Sequence, residues 1–455
     1  MIDARDTESL CPVCLARIPA RRVVRESGVT LEKTCPEHGV FSALIWEGVP
    51  EFSTWQRPKI PTSPPHIGHP VARGCPFDCG LCPDHRQRSC TIILEITHRC
   101  NLDCPVCYAD ARGMDGDDPP LSTIENWYAA ARRAGAGSNI QLSGGEPTVR
   151  DDLPRIVAMG RQAGFGFIQI NTNGLRLARD SRYIRELKAA GLSSVFLQFD
   201  GTDDVIYNKL RGRDLLADKL AAIDACAKNH IGIVMVPTLV PGVNDHDIGN
   251  ILRLAVDRSP SVRSVHFQPV SYFGRFPHPP ADRDRLTLPQ LMRCIETQSA
   301  GRFKASDFTP PGCENALCSF SASFLVMRDK NVRKVGGTGA GSCCPAPVNA
   351  EIGAATAIAS VARQWAAPPP ESTGPEPACN SCDCTTHGSM SLDGFLQRAR
   401  THLLSVSAMA FQDVWNLDLE RARDCCIHVM APDTRLVPFC LYNLTSSSGE
   451  RLYRP

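Results

Sequence analysis

The feature that most constrains this chain is an alternation. Between residues 91 and 300, six short apolar runs (91–97, 139–142, 166–171, 195–199, 232–236 and 264–268) alternate with helical periodicity at 123–134, 151–163, 181–190, 216–228, 246–257 and 288–298. Gly135, Gly164 and Gly191 stand just past helix ends, and Asp151 and Ser181 near helix starts. Six such units with largely apolar strands predict a parallel sheet covered by helices. Six are too few to close an eight-stranded barrel. The expected fold is α/β, an open partial (β/α)6 barrel, which places chemistry at the C-terminal ends of the strands.

The 455 residues suffice for two or three domains. Expected boundaries are 1–60, a zinc- or rubredoxin-like knuckle; 61–90, an auxiliary iron–sulfur segment; 91–300, the partial barrel; and 301–455, a second auxiliary-cluster region with a Pro-rich loop at 366–378. The 49 Lys and Arg nearly balance the 48 Asp and Glu, so no strong field recruits nucleic acid. Residues 1–10 are polar and acidic, and no uncharged apolar run reaches the length of a membrane span. A cytoplasmic location is expected, with peripheral membrane contact left open. In a reducing compartment the 22 cysteines read as metal ligands or catalytic groups rather than disulfides. Cys226 and Cys294, isolated in helical stretches, read as small buried hydrophobes.

Cys100, Cys104 and Cys107 form a C-x3-C-x2-C run directly after the first apolar strand. Three thiolates hold three irons of a cubane [4Fe-4S] cluster, whereas an electron carrier normally uses four, and structural zinc wants four ligands on paired knuckles. The iron left open can chelate a substrate. With Ser143-Gly144-Gly145-Glu146-Pro147 after the second strand, this run resembles the radical S-adenosylmethionine (radical SAM) superfamily. The resemblance implies a radical SAM partial barrel in which one electron cleaves SAM to methionine and a 5′-deoxyadenosyl radical that abstracts hydrogen from an unactivated carbon. It implies Cys100, Cys104 and Cys107 as cluster ligands, Tyr108 beside the adenine, and Ser143, Gly144, Gly145 and Glu146 at the methionyl amino group. The strand-end residues Asn171, Asn173, Gln198 and Asp200 suit the ribose and carboxylate of SAM, and equally suit ordinary turns.

Four other cysteine groups invite metals. Cys11 and Cys14 with Cys35 and His38 make two knuckles for zinc or a single iron. Cys75, Cys79 and Cys82 repeat the C-x3-C-x2-C spacing, and Cys90 offers a fourth thiolate for an auxiliary [4Fe-4S] cluster. Cys313, Cys318, Cys425 and Cys440 can close another. Cys425 and Cys426 compete for one place because adjacent side chains rarely face one iron, and Cys425 is taken on its spacing to His428. Cys343, Cys344, Cys379, Cys382 and Cys384 stay unassigned.

The order of these groups, ending in Pro438-Phe439-Cys440-Leu441-Tyr442-Asn443, resembles the superfamily branch of archaeal tetraether lipid synthases and dihydropterin methyltransferases. That branch implies carbon–carbon bond formation or alkylation at an inert carbon, with reduced ferredoxin or flavodoxin as electron donor. The substrate is read slightly towards a lipid chain, with a pterin or other small molecule methylated from a one-carbon donor as the alternative. A non-catalytic iron–sulfur protein would need neither 143–147 nor Asn173.

Overall fold

The computed structural model describes residues 4–65, 67, 70–135, 137–336, 347–368 and 392–454. The Pro-rich loop lies almost wholly outside these, as do Cys343, Cys344, Cys379, Cys382 and Cys384. The N-terminal residues alternate in burial and fold into an antiparallel meander of four strands, β1 (Ala4–Leu10), β2 (Arg17–Arg25), β3 (Gly28–Cys35) and β4 (Gly39–Trp46).

The central sheet follows from runs that are almost wholly buried, with the polar residues Asn139, Gln141, Ser143, Gln169 and Asn171 on the face turned to the interior. β5 (Thr91–Thr97) is buried at six of its seven positions, as a strand covered by helices on one face and turned to the barrel interior on the other requires. After it the chain repeats strand and helix: α1 (Leu121–Ala134), β6 (Asn139–Gly144), α2 (Leu153–Gln162), β7 (Ile168–Thr172), α3 (Ser181–Ala189), β8 (Ser194–Gln198), α4 (Leu216–Lys228), β9 (Gly232–Val236), α5 (Ile248–Asp257), β10 (Val262–Pro269) and α6 (Leu288–Gln298). β5 to β10 pair in parallel in chain order, as the alternation predicts. Helix ends follow local chemistry: Asp180 caps α3 by accepting from Tyr183 N–H, and Gly164 and Gly191 take the left-handed conformation behind α2 and α3.

The region after residue 300 is not separate from this sheet. β11 (Ser319–Val326) and β12 (Val332–Val335) form a hairpin. β11 pairs antiparallel with β13 (Leu403–Met409), which lies parallel to β10 and extends that edge. At the opposite edge β14 (Ile427–Met430) lies parallel to β5, followed by the antiparallel β15 (Leu436–Pro438). The order is β12-β11-β13-β10-β9-β8-β7-β6-β5-β14-β15, with residues 410–426 crossing from one edge to the other. The amphipathic helix α7 (Ala350–Trp365) lies under the N-terminal ends of the strands. Its Ile358 carbonyl accepts from Asn139 Nδ2 at 3.4 Å, its Gln364 carbonyl accepts from Arg263 Nε at 3.0 Å, and a Cβ on Gly232 would strike its Trp365 carbonyl. No helix among the described residues is long and apolar enough to cross a membrane.

Candidate active site

The loop after β5 carries Cys100, Cys104 and Cys107 over the C-terminal end of the sheet. It is clamped by Arg275, whose Nε donates to the Cys104 carbonyl at 2.7 Å while its backbone pairs both ways with Cys107 at 3.0 Å. Asp110 then binds Arg275 Nη1 at 3.0 Å and Arg451 Nη2 at 2.5 Å. All three thiols line a cavity of about 610 Å³ in the barrel lumen, together with Ser143, Gly144, Gly145 and Glu146. Burial pushes the Cys100 thiol up to about 12, and the Cys104 thiol also upwards. Three thiols on one loop that face a common cavity are a donor set that fits an iron–sulfur cluster.

The Gly-Gly turn is a requirement of space. A Cβ on Gly144 would collide with the Thr97 carbonyl, and one on Gly145 with the Arg99 carbonyl; Gly144 also has φ +128°. Glu146 is 1 % exposed and heavily used. Its Oε1 accepts from Thr148 N–H, Thr148 Oγ1 and Thr172 Oγ1 at 3.0, 2.6 and 2.6 Å, whereas Oε2 accepts only from Asn173 N–H at 2.6 Å. Capacity for an ammonium group therefore remains at Oε2. Tyr108 Oη and Ser143 Oγ share a hydrogen bond of 2.8 Å, Asn171 Nδ2 donates to the same Oγ at 3.2 Å, and Asn173 Nδ2 donates to Asn101 Oδ1 at 2.7 Å.

Asp200 differs from expectation. It is fully buried, is not part of the cavity wall, and holds Arg211 through two hydrogen bonds of 2.8 Å while accepting from Thr238 N–H at 3.1 Å. Arg211 keeps the Asp200 carboxyl below the usual range against the opposing effect of burial. The group presented to the cavity is Arg211, beside Cys104, and not the carboxylate. Gln198 does line the cavity; Lys219, which the sequence reading passed over, donates to its Oε1 at 3.1 Å.

Elsewhere the lumen wall carries amides and hydroxyls, among them Gln141, Gln169, Gln268 and Ser407, and one imidazole, His266. His266 Nδ1 shares a 2.8 Å hydrogen bond with Ser407 Oγ, and its ring lies 5.6 Å from Phe196 and 5.8 Å from Trp365. Burial lowers its pKa to about 4, so the ring is neutral.

Cys11, Cys14, Cys35 and His38 converge with all four ligand atoms within 4.8 Å of one another. The other cysteines regroup. Cys90 stands with Cys313 and Cys426, their sulfurs within 4.8 Å, because Cys90 N–H pairs with the Cys426 carbonyl (2.7 Å) where β5 and β14 begin. This corrects two expectations: Cys90 as fourth ligand to Cys75, Cys79 and Cys82, and Cys313 in one set with Cys318, Cys425 and Cys440. The neighbours Cys425 and Cys426 serve different groups, since successive side chains entering a strand point opposite ways. Cys425 and Cys440 act electrostatically on one another and on Cys318, to which Arg421 Nε donates at 3.4 Å. Cys75, Cys79 and Cys82 line a small separate cavity with His85 and Arg423.

Comparison with known proteins places this geometry. Residues 94–255 match the radical SAM superfamily, and residues 4–47 match the "HMPTM N-terminal zinc ribbon domain". The chain is 33 % identical over 96 % of its length to the 7,8-dihydro-6-hydroxymethylpterin dimethyltransferase of Methanocaldococcus jannaschii, covering 93 % of that protein. The chain belongs to this radical SAM family. A GTP 3′,8-cyclase of Paenarthrobacter nicotinovorans is 30 % identical over 44 % of this chain and 57 % of its own. Among solved structures, Streptococcus suis SuiB bound to its precursor peptide aligns with TM-score 0.36 and 14 % identity over 41 % of either chain. Radical SAM membership brings a [4Fe-4S] cluster and SAM, a small-molecule substrate and a reductant. The meander β1 to β4 is a zinc ribbon.

Proposed function

We propose that this radical SAM enzyme alkylates an inert carbon of a small, flat, polar heterocycle of the reduced pterin kind, forming a carbon–carbon bond. The limited volume of the lumen carries this reading. A ligand of ordinary size fills roughly 300–1,000 Å³, so SAM takes a large part of the 610 Å³ and leaves room for a compact second molecule. Two long hydrocarbon chains exceed the described lumen, whose floor is α7 and whose mostly apolar wall is set with a few amides and hydroxyls. The relative's activity on a hydroxymethylpterin agrees with this choice over the lipid reading.

Cys100, Cys104 and Cys107 hold the cluster, which when bound supplies the electron that cleaves SAM and so the radical that removes hydrogen from the substrate. Oε2 of Glu146 accepts from the methionyl ammonium. Arg211, fixed by Asp200, attracts the carboxylate end. Tyr108 and Ser143 brace one side of the SAM site, Asn171 and Asn173 the other, and neutral His266 offers a hydrogen bond to substrate without a charge. The thiols of Cys75, Cys79 and Cys82, and those of Cys318, Cys425 and Cys440, hold one or two auxiliary clusters, and the ribbon holds zinc or one iron. Reduced ferredoxin or flavodoxin supplies the electron.

The test is anaerobic reconstitution, reduction and addition of SAM, with and without a reduced pterin and a methylene-folate donor. Formation of 5′-deoxyadenosine, stimulated by the pterin and accompanied by a heavier pterin, is the expected result. No deoxyadenosine at full iron content overturns the enzyme reading, and stimulation by lipid alone overturns the substrate.

A further inference from the structure

The charged side chains among the described residues that line the lumen stand towards its two ends. Glu146 and Arg211 lie by the SAM-cluster thiols, and Arg57 and Glu314 flank Gly312 and Cys313 near the N-terminal ends of the strands. Between them the wall presents three rings, Phe196 from β8, His266 from β10 and Trp365 from the end of α7. Phe196 and Trp365 have ring centroids 5.7 Å apart, and each packs on His266, so the three make one continuous aromatic wall.

Two of these rings are tethered by hydroxyls as well as packed. His266 shares its Nδ1 hydrogen bond with Ser407, its register partner on β13. Trp365 Nε1 donates to Ser405 Oγ at 3.3 Å, and that hydroxyl donates to Ser264 Oγ at 2.7 Å. With Nδ1 engaged, Nε2 of His266 has no hydrogen-bond partner among the described residues, and unlike Nε2 of His428 it is not sealed from the cavity. In either tautomer it keeps an unmet N–H or lone pair. A mostly apolar pocket with a few fixed polar groups is the usual form of a small-molecule site.

We propose that Phe196, His266 and Trp365 form the wall against which an uncharged, flat heterocycle stacks, with His266 Nε2 as its hydrogen-bond partner. This inference rests on the small-heterocycle reading above. Phe196 and His266 stand two residues before Gln198 and Gln268, which line the lumen nearer the C-terminal strand ends. At roughly 3.3 Å per residue the rings lie about 7 Å below those amides, so a molecule seated on them turns one edge towards SAM. The absence of a charged side chain at this level selects against substrates that carry a carboxylate or phosphate, because a buried charge without a partner is costly. The neutral state of His266 agrees with that selection.

The experiment is equilibrium dialysis of the reconstituted full chain with SAM and without reductant, so that nothing turns over. The probes are 7,8-dihydro-6-hydroxymethylpterin and 7,8-dihydropterin-6-carboxylate. Wild type should bind the hydroxymethyl probe at least about tenfold more tightly than the carboxylate. His266→Leu and Trp365→Leu should each weaken the hydroxymethyl probe about tenfold, the scale of one hydrogen bond or aromatic contact. Trp365→Phe should restore most of the loss, with iron content and SAM affinity as in wild type throughout. Equal binding by wild type and both leucine variants overturns the proposal, as does equal affinity for the two probes or a loss of SAM affinity in step with that of the pterin. The comparison of probes needs no variant to fold. No binding of the hydroxymethyl probe to wild type overturns the small-heterocycle reading and this wall with it, whereas tight binding that ignores the ring changes overturns the wall alone.

Discussion

At the scale of single residues, the site depends on charges fixed out of water. Arg211 is 9 % exposed and Asp200 fully buried, so removing one partner strands the other. Arg211→Met should cost about 3–5 kcal/mol by leaving the carboxylate unpaired. The double change with Asp200→Asn should recover much of the melting temperature while SAM cleavage stays lost; recovery of both would remove Arg211 from the site. Cys104→Ala should abolish 5′-deoxyadenosine formation, and equal yields from variant and wild type would refute its assignment as a ligand. His266 gives a pH signature. Its pKa falls to about 4 in the fold from 6.5, so between those values the unfolded chain binds more protons and stability drops as pH falls. At pH 5 this share comes to about 2 kcal/mol relative to neutral pH. Urea titrations should therefore show a smaller acid loss in His266→Gln than in wild type. Local motifs made the SAM thiols, the Gly-Gly-Glu turn and the knuckle ligands legible from sequence. Arg211 was not, because an arginine at the end of a short helix has no pattern until Asp200 is seen facing it.

At the scale of elements, the six strand–helix units were legible because each carries its own periodicity and punctuation; α4 and α6 run over the stretches predicted for them. β13 and β14 were not, since their partners lie far away in sequence and nothing local marks them as edges of the same sheet. The regrouping of Cys90, Cys313 and Cys426 has the same cause: three distant segments meet only once the sheet exists. The floor helix α7 offers a direct test. Gly232 packs so closely on the Trp365 carbonyl that Gly232→Ala must displace the end of α7 or the start of β9. A loss of about 1–3 kcal/mol is expected, with altered Trp365 fluorescence and earlier proteolytic cleavage in α7. Unchanged fluorescence and proteolysis would mean that α7 does not seal the lumen.

At the scale of the whole molecule, the zinc ribbon is docked and not tethered. Lys33 Nζ, 3 % exposed as a residue, donates to the Val414 carbonyl at 2.6 Å and to Ser9 Oγ at 2.9 Å; Ser9 donates to the Leu417 carbonyl at 2.6 Å, and Arg22 pairs with Asp418 at 2.6 Å. The ribbon thus braces the crossing segment that joins the two edges of the barrel. Cys11→Ala should lower the melting temperature and loosen 410–426 to hydrogen exchange, while the yield of 5′-deoxyadenosine per cluster is retained; a lost yield at full cluster content would give the ribbon a direct catalytic part.

That crossing also sets the order of assembly. β5 emerges early in synthesis, yet its outer edge is covered only when residues 427–430 arrive. Contacts of such long sequence separation form late, and an unpaired strand is exposed to misassociation meanwhile. The same delay makes the docking of the last strands the event that encloses the interior.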